Sequence, residues 1–267
     1  MRYRARVEYD GTDFAGFQVQ PGGRTVQGEL EAALATISGG SRVRVVAAGR
    51  TDAGVHATGQ VIAFTDPMGR PATGLARALN ALLPEDVAVH ELRRAPVGFH
   101  PRYAARYREY RYTVWNGPRS PLRERFALGV RDPLDTAAME RAGSVLVGRH
   151  DFSAFGAAHR QPLRTVHSVR VRRTGSLVTI DVAADAFLRQ MVRRVVAVLL
   201  EVGHGRTNEE AVAEALASRR PALNGATAPA KGLCLKRVVL GPMRARAASA
   251  STTARTENDD REDIYGP

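Results

Sequence analysis

The chain has 267 residues, 44% hydrophobic and 25% charged, with 39 Lys+Arg against 27 Asp+Glu and a formal net charge of +12. That apolar content excludes a disordered chain, and the length suffices for one large or two modest domains with a sizeable core. So strong a positive excess points to a polyanionic partner, a nucleic acid or an anionic membrane.

Strand and helix patterns alternate from the start. Residues 2–9 alternate polar and apolar and read as a strand, followed by a glycine-rich loop from Gly11 to Gly23. Val26, Leu30, Ala33, Leu34 and Ile37 recur at helical spacing, so a helix is expected over 26–38, ended by Gly39-Gly40. Strands are expected over 42–48 and 60–65, a helix through Leu75, Leu79 and Leu82 that stops near Pro84, and a strand through 87–89. In the second half, residues 106–115 alternate, with Tyr110, Tyr112 and Val114 on one face. Asp135 can cap a helix reaching Val147 and ending at Gly148. Strands fit 165–173 and 177–183, and the best helical pattern runs over 186–202, with Phe187, Met191, Val195, Val198, Leu199 and Val202 inward. Thr207-Asn208-Glu209-Glu210 reads as a capping box, and Leu233–Leu240 as a last strand.

After Met243 the chain is polar and poor in large apolar residues, and a disordered polar tail is expected over 243–267. Acids outnumber arginines there, so the basic excess belongs to the preceding part. Two αβ units of similar size are expected, 1–104 and 105–242, in a mixed α+β architecture with much antiparallel pairing. The lone Cys234 excludes an intrachain disulfide and a multi-cysteine zinc site. The longest apolar run, Val195 to Leu200, is too short to span a bilayer. The amino terminus reads as a strand rather than a signal peptide. These features place the chain in a reducing cytoplasm.

The Gly-rich phosphate loop, the dinucleotide fingerprint, the paired-histidine zinc motif and the serine nucleophile elbow are all missing. The segment that carries chemistry is Ala47 to Val61, in which three glycines frame Asp52 between Arg50 and His56. Glycines let a backbone approach a ligand closely. A cationic neighbour keeps a carboxylate ionised even when water is excluded. Asp52 is therefore a candidate nucleophile or base, or else an acid that only satisfies turn amides.

Here the sequence resembles a known family. Gly49-Arg50-Thr51-Asp52-Ala53-Gly54-Val55-His56 is similar to the signature of the tRNA pseudouridine synthase A family. Tyr9-Asp10-Gly11-Thr12, Thr25-Val26-Gln27-Gly28-Glu29-Leu30, Phe99-His100-Pro101-Arg102 and Tyr110-Arg111-Tyr112 match in order. So do Asp151-Phe152-Ser153-Ala154-Phe155, Phe187-Leu188-Arg189-Gln190-Met191-Val192-Arg193 and Ala228-Pro229-Ala230-Lys231-Gly232-Leu233. Ala197, where the family commonly has Gly, and Pro101, where it commonly has Ala, are small departures away from the reacting groups.

The resemblance implies a pseudouridine synthase fold, two αβ halves with largely antiparallel mixed sheets flanked by helices, and an active-site cleft between them. It implies isomerisation of uridine in the anticodon stem-loop of tRNA, at nucleotides thirty-eight to forty, by a homodimer with no cofactor, no nucleotide cofactor and no catalytic metal. The catalytic aspartate falls on Asp52. The arginine that pairs with it falls on Arg193. The tyrosine that packs on the target base falls on Tyr110, which is also a candidate acceptor for the C5 proton. Arg50 and His56 flank the acid as candidates for substrate binding, with loop packing as the other reading of His56. The chemistry fits: a glycosidic bond breaks and re-forms through carbon, with no redox step and no phosphate transfer. Two other classes compete, a non-catalytic RNA-binding module and an aspartyl-nucleophile enzyme acting on small phosphates.

Overall fold

The computed structural model describes residues 1–241, so the tail expected over 243–267 lies outside the described residues. In chain order the strands are β1 (Arg2–Tyr9), β2 (Val46–Ala47), β3 (His56–Thr65), β4 (Val87–Arg94), β5 (Ala105–Asn116), β6 (Leu128–Val130), β7 (Gly148–Asp151), β8 (Leu163–Thr174), β9 (Leu177–Ala184) and β10 (Leu233–Leu240). The helices are α1 (Val26–Ile37), α2 (Ala72–Leu82), the single turn α3 (Pro101–Ala104), α4 (Thr136–Ser144), α5 (Met191–Gly203) and α6 (Glu209–Ser218).

All ten strands join one sheet in the order β4-β1-β3-β10-β5-β9-β8-β7, with β2 on β3 and β6 on β5. The two expected halves therefore share a single sheet. The joint is β10, which pairs parallel with β3 and antiparallel with β5. Pairing is otherwise antiparallel except for β5 with β6. One register row crosses the sheet through Tyr9, Ala57, Leu235, Tyr110, Val182 and Val169. Every member of it is buried. Residues paired across strands point to the same face, so this row marks the side that the helices cover. The opposite face carries Arg4, Arg6, Glu91, Arg93 and Lys236 around a groove of about 550 Å³.

Local chemistry explains the elements near the site. Thr25 caps α1 by accepting from the Gly28 amide, and Val26, Leu30, Ala33 and Leu34 are buried beneath it. Such a cap contributes about 1 kcal/mol. Helix α2 buries Leu75 and Leu79, and the Asn80 amide bonds both backbone groups of Val89, which fastens α2 to β4.

Several expected boundaries moved. The strand expected over 42–48 forms ladder bonds only at Val46–Ala47. Val43 and Val45 are buried as their alternation implies, but the amide of Val45 donates to Glu31 and its carbonyl accepts from Gln27. Side chains of α1 satisfy that backbone, so no strand partner is needed. The helix expected from 186 begins at Met191, because Gln190 has a left-handed φ of 63°. The helix after Asp135 stops at Ser144 rather than Val147. In the expected capping box Asn208, not Thr207, is the cap, accepting from the Ala211 amide at 3.0 Å.

Candidate active site

Asp52 sits in the loop between β2 and β3, and almost every residue of that loop is pinned. The Ala48 amide donates to Val61 and the Gly49 carbonyl accepts from Gln60 at 2.8 Å. Thr51 is buried, its hydroxyl 2.8 Å from the Tyr9 hydroxyl and its carbonyl accepting from the Phe17 amide. The Gly54 amide donates to Phe14, and the Val55 amide returns to Asp52 at 3.2 Å, closing a four-residue turn. Gly54 takes φ +75° in that turn, a conformation that costs a residue with a Cβ. The glycine-rich loop after β1 serves as the wall against which the Asp52 loop is cast. At Gly16, with φ +110°, a Cβ would stand 2.9 Å from the Thr51 carbonyl oxygen.

The carboxylate meets a cation from the other half of the chain. Arg193, in the first turn of α5, places Nη1 3.8 Å from Asp52 Oδ2. The guanidinium is itself held, donating from Nε to the Ala228 carbonyl at 2.7 Å and from Nη2 to the Thr227 hydroxyl at 3.2 Å. A cation in the first turn opposes the helix dipole, and α5 has no acid in that turn and no side-chain cap. The Asp52 carboxylate supplies the negative charge the helix start lacks. The Asp52 side chain remains 33% exposed against 17% for Arg193, so the acid is reachable while the cation behind it is fixed.

Tyr110 completes the group. It stands in the buried register row on β5, and Phe187 packs edge-on against its ring at 5.2 Å and 88°. Burial pushes its phenol well above the ordinary range, with the nearby Tyr9 and Asp52 adding to the shift. Tyr110 is thus a neutral ring beside a carboxylate. Phe187, expected on the inner face of a helix, lies before α5 and supports Tyr110 instead.

Arg50 is exposed on the same loop. His56 is 5% exposed and turned into the protein: Nδ1 accepts from the Gly11 amide at 3.0 Å and lies 3.1 Å from Asp10, Nε2 faces the Lys231 carbonyl at 3.2 Å, and Phe126 packs on the ring. Of the two readings of His56, this geometry matches packing, since both ring nitrogens are engaged by the protein. Burial alone would raise the Asp10 carboxyl, but hydrogen bonds from Thr12 and Arg125, with His56 beside it, hold it below its ordinary range. Among the described residues no three His, Cys, Asp or Glu side chains are grouped to hold a metal ion. No helix among them is long and apolar enough to cross a membrane.

Sequence reading passed over the supports Tyr9, Gln60 and Arg108. Their signal was present in the strand period: Arg108 shares a strand face with Tyr110, and Tyr9 ends the inward row of β1. Nothing local said what they would touch.

The arrangement offers a partly exposed carboxylate, a fixed cation and a protonated aromatic ring, contributed by both halves where they meet. The family model described as tRNA pseudouridine synthase matches residues 5–104 and 142–239. The chain is 46% identical over 233 residues to tRNA pseudouridine synthase A of Pelobacter propionicus, covering 86% of this chain and 95% of that one. It is 44% identical over 236 residues to the proteins of the same name from Halalkalibacterium halodurans and Geotalea uraniireducens, covering 87% of this chain and 90% and 96% of theirs. The chain belongs to the tRNA pseudouridine synthase A family.

Proposed function

We propose that this protein isomerises uridine to pseudouridine in the anticodon stem-loop of tRNA, with Asp52 as the essential carboxylate. The observation that carries this reading is the Asp52–Arg193 pair at 3.8 Å, with the buried Tyr110 ring within electrostatic reach of the acid. A uridine in a stem must leave its stack to be reached, at a cost of a few kcal/mol. Stacking on Tyr110 offsets roughly 1–3 kcal/mol of that. Asp52 then attacks C1′ or removes the C2′ proton, and Arg193 holds it in line. Uracil turns, C5 bonds to C1′ as the C1′–Asp52 bond breaks or the proton returns to C2′, the C5 proton leaves to a base, and N1 is protonated. Asp52 suits that last role better than Tyr110, because burial keeps the Tyr110 phenol protonated. The strong positive charge fits a substrate bound through its phosphates, with affinity that falls steeply with salt. The family reading adds a homodimer working in the cytoplasm without a cofactor.

The test is to incubate the protein in EDTA with unmodified tRNA transcript and to map pseudouridine by position. Conversion confined to the anticodon stem-loop is the expected result. Binding of the transcript with no converted uridine would leave an RNA-binding module, and conversion that requires an added metal would overturn the cofactor-free reading.

A further inference from the structure

Beneath the Asp52 loop lies a cation that the reading above does not use. Arg108 on β5 is two residues from Tyr110 on the same strand face. Its Nη1 donates to the Asp185 carbonyl at 2.6 Å, and its Nη2 to the Ala48 carbonyl at 2.6 Å and the Arg102 carbonyl at 3.2 Å. A Cβ on Gly49 would stand 3.9 Å from Arg108 Nε, so the loop passes directly over the guanidinium. One side chain thus ties together the loop that carries Asp52, the strand that carries Tyr110, the residue after β9 and the turn α3.

Each of these hydrogen bonds goes to a neutral carbonyl; among the described residues no carboxylate forms a salt bridge with the guanidinium, although the Asp185 charge attracts it from farther off. Burial pulls the guanidinium below its ordinary range. A half-buried cation that is bonded only to carbonyls is costly to keep. As a brace alone, a neutral amide could donate to such carbonyls without the cost of a charge. The reaction supplies a reason to keep the charge. When C1′–N1 breaks, its electron pair goes to N1, and the uracil departs as an anion spread over N1, O2 and O4. The sugar carbon bonds to the Asp52 oxygen, or the C2′ proton passes to Asp52. When C5 bonds to C1′, the C1′–Asp52 bond breaks or Asp52 returns the proton to C2′; the C5 proton then leaves and N1 takes one up, so the net change is an isomerisation. The anion forms against the Tyr110 ring, which lies within electrostatic reach of Arg108. A fixed charge already oriented where such a species forms stabilises it without reorganising.

We infer that Arg108 is a positioning residue for this reaction, bracing the Asp52 loop and setting a fixed positive field beneath the departing base. This rests on the synthase reading. Its test therefore measures wild type and variants together, in single-turnover conversion of a tRNA transcript and in tRNA affinity by filter binding. Arg108→Gln keeps donors for the carbonyls and loses the charge, whereas Arg108→Lys keeps the charge and loses the fork. The expected result is a conversion rate about 100-fold lower for Arg108→Gln, an intermediate loss for Arg108→Lys, and affinity within about twofold of wild type for both. Arg108→Gln matching or exceeding Arg108→Lys would overturn the inference, as would a loss traced to affinity. Failure of either variant to fold, read by thermal unfolding, would also overturn it by making Arg108 a framework residue. An inactive wild type would count against the synthase reading instead.

Discussion

Asp52 and Arg193 face each other at 3.8 Å although one belongs to the loop before β3 and the other to the first turn of α5. Neither half of the chain holds this pair alone. The acid is set by contacts inside the first half, from Gln60, Tyr9 and Phe17, whereas the cation is set by Ala228 and Thr227 in the second. Strand β10, paired to both β3 and β5, fixes the distance between the two sets.

Replacing Asp52 by Asn keeps its size and turn geometry and removes its charge. The conversion rate should fall at least about a thousandfold, a barrier increase of about 4 kcal/mol. Thermal unfolding and tRNA affinity should stay close to wild type, because the side chain is partly exposed and its turn bond comes from the backbone. Rate measurements beside filter binding decide it, and near-normal turnover would remove Asp52 from the mechanism.

Tyr110→Leu retains an apolar side chain in the buried row and removes the ring. Its loss should amount to about 1–3 kcal/mol of transition-state stabilisation, the value of one base–aromatic stack. Stability should change less than in an alanine variant, which would open a cavity. Comparing kcat/KM with the urea midpoint of both variants separates stacking from packing.

Gly54 and Gly39 provide a matched pair. Both adopt positive φ, 75° and 63°, but a Cβ on Gly54 meets Ala230 Cβ at 3.1 Å, whereas one on Gly39 meets nothing within 4 Å. Alanine at either site should cost roughly 1–2 kcal/mol of stability from backbone strain. Only Gly54→Ala should also slow conversion, since its strain falls on the turn that presents Asp52. Equal activity of the two variants at a temperature where both are folded would contradict this.

Burial raises the phenols of Tyr9, Tyr110 and Tyr112 above the ordinary tyrosine value of 10.0. The folded state therefore binds these protons more tightly than the unfolded chain. Their contribution to stability is fully present below pH 10 and is lost as pH rises beyond it. The urea midpoint should show no tyrosine-linked change between pH 7 and 9 and should fall above about pH 10. Ultraviolet absorbance should show these three phenols ionising together with unfolding. Their free titration in a still-folded protein would refute the assignment.

What was legible in the sequence was local. Alternation placed Tyr110 and Tyr112 on the inward face of β5, and helical spacing found α1 and the body of α5. The glycine frame around Asp52 announced a tight loop before any partner was visible. The errors were local too: Val43 and Val45 alternate like a strand, yet their backbone is served by α1 side chains, and Gln190 breaks a helix pattern that apolar spacing carries through.

By itself the chain's order of residues determined which segments bury which face, because neighbours a few positions apart set periodicity, caps and turns. It also marked Asp52 as an acid in a confined place. Only the folded molecule decided that β10 would enter between β3 and β5, that Arg193 would reach Asp52, that His56 would turn inward and that Arg108 would lie under the loop. Those relations join groups from distant parts of the chain. Their energies come from strand register and from satisfying buried charges and carbonyls, and no short-range pattern encodes which partner will be there.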